Sequence, residues 1–207
     1  MNFLAKVISY VFHPLLMVTY MFSLFALYFP LGLDPLKIDA QWTFILIIFG
    51  FTFLLPAVNI GLLKLFGSIK SVTLVNRRER IIPFIFIAIL YLVITYLFYS
   101  KTGVSFNDNL FKFLLIADAL VVISAIATMF YKVSIHSLAA WGFIGIIVPL
   151  NGLSENGALF YPSLAAIVIT GLVMSSRLQL QVHSAREVMI GGILGLATSF
   201  AGMVVLF

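Results

Sequence analysis

Long apolar runs separated by short polar intervals cover almost the whole chain. A helix that crosses a bilayer needs roughly 20 apolar residues, fewer where flanking side chains reach for the interface. By that measure, spans are expected over about 14–30, 42–65 and 81–99. A fourth follows the polar stretch 101–109 and ends near Tyr131. The fifth, 137–150, is short. A sixth ends near Ser175, after a turn-rich loop over 151–157, and a seventh runs from the polar stretch 176–187 to Phe207. Pro56 lies inside the second run and predicts a kink. The expectation is an all-α integral membrane protein, a bundle of six to seven transmembrane helices, with six if the fifth segment re-enters instead of crossing.

Composition agrees with this pattern. Hydrophobic residues make up 63% and charged residues 9% of the 207, whereas a soluble domain carries about a quarter charged residues. The net charge of +5 sits in short loops between apolar runs, so it is not a nucleic-acid signal. There is no cysteine, hence no disulfide and no thiolate metal site. The first residues, Met1 to Lys6, are basic and apolar without a cleavage pattern and read as a retained interfacial segment. No repeat or linker divides the chain, so one domain over 1–207 is expected.

Charge asymmetry changes the picture. With seven spans, the polar clusters return to one face of the bilayer together with the N-terminus. That face holds Lys6, Lys64, Lys70, Arg77, Arg78, Arg80, Lys132, Arg177 and Arg186, and also His136 and His183. The opposite face holds Lys37, Lys101 and Lys112 beside Asp34, Asp39, Asp108 and Glu155. Positive-inside bias would make the cationic face cytoplasmic.

Three clusters on that face carry candidate chemistry. Lys70 is followed by Arg77, Arg78 and Arg80. Ser134 and His136 open the fifth span. Ser176 and Arg177 precede His183 and Glu187 at the last one. His183 and Glu187 are four apart, so a helix would stack them on one face. The carboxylate would then fix the ring's tautomer and leave the other nitrogen a free lone pair, as a nucleophilic histidine requires. The alternative is an interfacial ion pair at a helix start. Cations, helix starts and two histidines together suit a multiply charged oxyanion such as phosphate. One histidine with a carboxylate and one without suit a nucleophile paired with a general acid. No metal or other cofactor is called for: only three histidines exist, and the acidic residues on this face are Glu79 and Glu187.

The three clusters resemble the signature motifs of the type 2 phosphatidic acid phosphatase superfamily, which includes lipid phosphate phosphatases and bacterial undecaprenyl-pyrophosphate phosphatases. The family pattern is Lys-x6-Arg-Pro, then Pro-Ser-Gly-His, then Ser-Arg-x5-His-x3-Asp. Lys70 and Arg77 match the first motif, Ser134 and His136 the second, and Ser176, Arg177 and His183 the third. The resemblance covers about residues 70–195. It implies a metal-independent phosphatase of a lipid phosphate or pyrophosphate, in a bacterial inner membrane. His183 would become a phosphohistidine, Glu187 would orient it, and His136 would protonate the leaving oxygen and then activate water. Lys70, Arg77 and Arg177 would hold phosphate oxygens, with Ser134 adding a hydrogen bond and Ser176 part of the third motif.

The chain departs from the pattern in several places. Arg78 replaces the Pro of the first motif, so Arg80 is an equal candidate for phosphate. Ile135 replaces the Gly of the second, and Glu187 the usual Asp. A second expectation is therefore a catalytically weak relative that binds anionic lipid or serves as a subunit of a membrane complex. Outside the clusters, Asp118 is an intramembrane carboxylate, either functional or held in a structural hydrogen bond. His13-Pro14 marks a break between an interfacial helix and the first span. Gly191, Gly192 and Gly195 suggest close helix packing, and Trp42 and Tyr161 suggest interfacial anchors.

Overall fold

Each long apolar run folds as helix, because in hydrocarbon every backbone N–H and C=O must find its partner within the segment. In a computed structural model that describes residues 2–72, 74, 77–153 and 157–207, the helices are α1 (Asn2–Val11), α2 (Met17–Tyr28), α3 (Ile38–Phe49), α4 (Leu55–Leu65), α5 (Arg77–Lys101), α6 (Asn109–Phe130), α7 (Ile135–Leu153), α8 (Phe160–Gln179) and α9 (Ala185–Leu206). They form seven segments long and apolar enough to cross a membrane: α1 with α2, α3 with α4, and each of α5 to α9. No strand occurs among the described residues. The protein is an all-α, multi-pass membrane bundle. The turn predicted at 151–157 and Glu155 lie partly outside the described residues, as does Asn76.

The fifth run is a helix of 19 residues, long and apolar enough to cross a membrane. It extends three residues beyond the apolar stretch, through Pro149 to Leu153. The first span is broken where expected: α1 ends at Val11, and a short 3-10 turn (Pro14–Leu16) starts α2. His13 caps this turn, its Nδ1 accepting the N–H of Leu15. In the second span the distortion lies before Pro56, not at it. Residues Gly50–Leu54 form a π-helical turn between α3 and α4. Proline lacks an N–H and clashes with the carbonyl four residues back, and the wider turn makes room for it.

Phenylalanines fill the middle of the bundle. Phe22 and Phe25 of α2, Phe44 of α3 and Phe113 of α6 are almost wholly buried. Phe22 and Phe44 meet edge to face with ring centroids 4.9 Å apart, the arrangement that aromatic quadrupoles favour. The outer surface remains apolar, with Leu46, Tyr96, Val168 and Val205 among the exposed side chains, as a lipid-facing surface requires.

Helix α7 packs most extensively against α9. A Cβ on Gly195 would run into the backbone carbonyl of Leu138, and one on Gly191 into that of Ser134. Backbones can approach this closely only at small residues. The contact matters for function because it locks the starts of α7 and α9 side by side.

Candidate functional site

The ends of five helices and the break between α1 and α2 meet at one end of the bundle. Helix α9 begins with a capping box that the sequence spells out as Ser184-Ala185-Arg186-Glu187. Ser184 is the N-cap, and its Oγ accepts the N–H of Glu187 at 3.3 Å. Glu187 is thereby fixed in the first turn, where a carboxylate also suits the helix dipole. His183 lies just outside the helix, before the cap. The expected same-face helical stacking is therefore replaced by a contact across the cap. The Nδ1–H of His183 donates to Glu187 Oε2 at 2.7 Å, leaving Nε2 as the free lone pair. The His183 side chain is 3% exposed. Burial, aided by the positive charges of Arg80 and Arg177 and only partly opposed by Glu187, pulls its pKa down to about 4. The ring is neutral at physiological pH, the state a nucleophile needs.

The start of α7 is tied to that of α9. The Ser134 backbone N–H donates to the Glu187 carbonyl at 3.1 Å. Ser134 Oγ accepts from Ser137 Oγ at 3.1 Å, so it serves the local turn. His136 is the second residue of α7. Its Nε2 is 3.1 Å from the carbonyl of Ser9 in α1, which only an N–H can satisfy.

Arg177 belongs to the last turn of α8, which continues to Gln179. The helix thus runs past the end expected near Ser175, and the non-helical approach to His183 begins only after Gln179, with Gln181 left-handed at a φ of 54°. The charge of Arg177 bears on His13, His136 and His183, and its Nε is buried without a partner. Ser176 Oγ donates to the Val173 carbonyl at 2.7 Å and is 3.1 Å from Ser9 Oγ. It ties α1 to α8.

The first cluster assembles differently from its motif match. Arg80, 6% exposed, donates to the carbonyls of Leu74 and Val133, and its charge bears on Glu187 and His183. Arg77, the motif match, instead donates through Nη1 to the Met129 carbonyl at 2.9 Å. Lys70 is exposed, and its backbone N–H is held by Glu79. Three residues apart, the two arginines lie near the same face of α5, but Arg80 is buried against Val133 beside α7 whereas Arg77, at the helix start, is half-buried against Met129 at the end of α6.

Two residues join the site without having been singled out for it. Lys132 donates to the Val182 carbonyl at 3.0 Å and lies 3.8 Å from Glu187 Oε2. His13 meets the ring of His136 edge to face, with centroids 5.5 Å apart. Neither has a motif signal, since both arrive through long-range packing. Among the described residues, no three His, Asp or Glu side chains are placed to hold a metal ion.

Beyond the polar cluster, a cavity of about 80 Å³ starts at Pro14 and Ile135. It runs between α2, α5, α6 and α7 to Tyr91 and is almost entirely apolar. Asp118 lies deeper, buried in α6, with Oδ2 unpartnered.

The arrangement places a neutral, carboxylate-oriented histidine under the charges of the buried Arg80 and the half-buried Arg177, with a second histidine close by. Such a set can bind a tetrahedral oxyanion and attack its central atom. No protein-family model matches the chain, and neither does a curated protein or a solved structure.

Proposed function

We propose that this protein is a membrane-embedded, metal-independent phosphatase acting on a lipid phosphate or pyrophosphate through a phosphohistidine. The observation that carries this reading is the buried His183 paired with Glu187, with Nδ1 engaged at 2.7 Å and the charges of Arg80 and Arg177 acting on the same ring. The Nε2 lone pair attacks phosphorus while the bond to the leaving oxygen breaks. The His136 imidazolium gives that oxygen its proton. Water, losing a proton to the now neutral His136, then cleaves the N–P bond, releasing phosphate and restoring both rings. Arg80 and Arg177 neutralise charge on the phosphoryl oxygens. The apolar cavity beginning beside His13 and His136 suits the first part of a lipid chain. Phosphatidic acid, phosphatidylglycerol phosphate and isoprenyl pyrophosphates all fit this chemistry, and a bacterial inner membrane is the setting it suits.

A second reading, a catalytically weak or inactive relative that binds anionic lipid or serves a membrane complex, draws support from Ile135 in place of the glycine. The deciding experiment offers purified protein a panel of lipid phosphates without added metal, beside His183→Ala. Phosphate release by the wild type alone supports the enzyme. Equal release from both proteins on every lipid would overturn it. Micromolar vanadate, which adopts the five-coordinate geometry of the transition state, is expected to inhibit.

A further inference from the structure

Helix α1 contributes to the histidine site but lies outside all three motifs. It is amphipathic and buries only Ala5 and Ser9. Both of its polar links at Ser9 lead to the site. The Ser9 carbonyl accepts the Nε2–H of His136 at 3.1 Å, and Ser9 Oγ meets Ser176 Oγ, next to Arg177, at 3.1 Å. Just beyond the helix, His13 is held by its cap bond to Leu15. Its ring meets that of His136 edge to face, with centroids 5.5 Å apart, and lies 6.5 Å from that of Phe53.

We propose that Ser9 and His13 are positioning residues for His136, doing for that ring what Glu187 does for His183. The two nitrogens of an imidazole point away from each other. With Nε2–H tied to Ser9, Nδ1 is turned away from α1 and is the position that loses and regains the proton, an N–H in the imidazolium and a free lone pair once that proton has gone. That nitrogen exchanges the proton with the leaving group and with water. The backbone carbonyl of an amphipathic helix thus replaces a second carboxylate, which would have weakened anion binding in a pocket built for phosphate. The catalytic consequence rests on the phosphatase reading; the docking of α1 on His136 does not.

The test exploits the absence of cysteine in the chain. A Ser9→Cys/Ser176→Cys pair is expected to form a disulfide on mild oxidation, detected by mass. Failure to do so in folded protein overturns the juxtaposition. Ser9→Leu, which wedges α1 off α8, is expected to raise the rate at which diethyl pyrocarbonate acylates His136 by about tenfold. It is also expected to lower kcat about tenfold, with KM changed less than twofold. Equal acylation of His136 in wild type and Ser9→Leu overturns the proposal, as does faster acylation with unchanged kcat. His13→Asn keeps a cap acceptor for Leu15 and removes the ring, whereas His13→Phe keeps a ring and removes the cap. A kcat lowered in the first and retained in the second supports positioning, and the reverse overturns it. If wild type releases no phosphate from any lipid, the phosphatase reading fails, and the acylation rates alone still decide whether α1 holds His136.

Discussion

The first and third clusters offer the same chemistry on paper, cations at fixed spacing, yet they fold differently. From Arg177 to Glu187 the backbone is constrained at every step: α8 to Gln179, a left-handed Gln181, the Ser184 cap and the first turn of α9. Its spacing therefore becomes geometry, and His183 meets Glu187. Between Lys70 and the start of α5 at Arg77, the described residues Lys70, Ser71, Val72 and Leu74 belong to no helix, so spacing fixes little. The residue that reaches the site is Arg80, while Arg77 reaches Met129. A motif transfers to three dimensions only as far as local hydrogen bonds fix the chain that carries it.

This contrast can be broken most severely at His183. On the phosphatase reading, His183→Ala is expected to remove at least about 10³-fold of kcat, since the proposed nucleophile has no substitute; phosphate release from lipid substrates measures it. Next comes the orienting carboxylate. Glu187→Gln keeps the shape but loses the charge that fixes the tautomer, for a loss on the order of 100-fold, with the fold intact by melting temperature. Arg80→Gln is expected to cost a comparable factor, on the order of 100-fold. A loss as large in Arg77→Gln would reverse the assignment drawn here.

The acid limb of the rate profile sharpens the same comparison. Folding lowers the His183 pKa from its ordinary 6.5 to about 4. Between those values the unfolded chain binds a proton that the folded protein refuses. Stability therefore falls as pH drops through this window. On the phosphatase reading, activity is expected to persist until the ring itself is protonated near the lower value. Arg80→Gln removes a repelling charge, so the acid limb should move to higher pH, whereas Arg77→Gln should leave it in place. The smallest effect is expected at Lys70→Ala, less than about threefold in kcat/KM, because an exposed cation in water is strongly screened.

Much of the fold was legible in the sequence. Hydropathy is a local property, and a segment in hydrocarbon has no option but to satisfy its own backbone. The seven spans, the break at His13-Pro14 and the tight packing at Gly191 and Gly195 follow from residues read in place. The Ser184 to Glu187 capping box was equally readable, being a short-range pattern. The π turn was not, since proline signals a distortion without saying which turn takes it up.

The sequence by itself determined a helical membrane bundle with a histidine–carboxylate pair at the start of its last helix. Tertiary structure alone decided that Arg80 and not Arg77 turns inward, that Lys132 lies beside Glu187, and that α1 brings Ser9 and His13 to His136. Each of these depends on groups far apart in the chain, Ser9 and His136 being 127 residues apart. Such pairs meet only after the glycine-mediated contact of α7 with α9 and the seating of α1 on α8 have fixed where each helix ends. Spacing along the chain reports what neighbours do; packing sets which distant ends share a pocket.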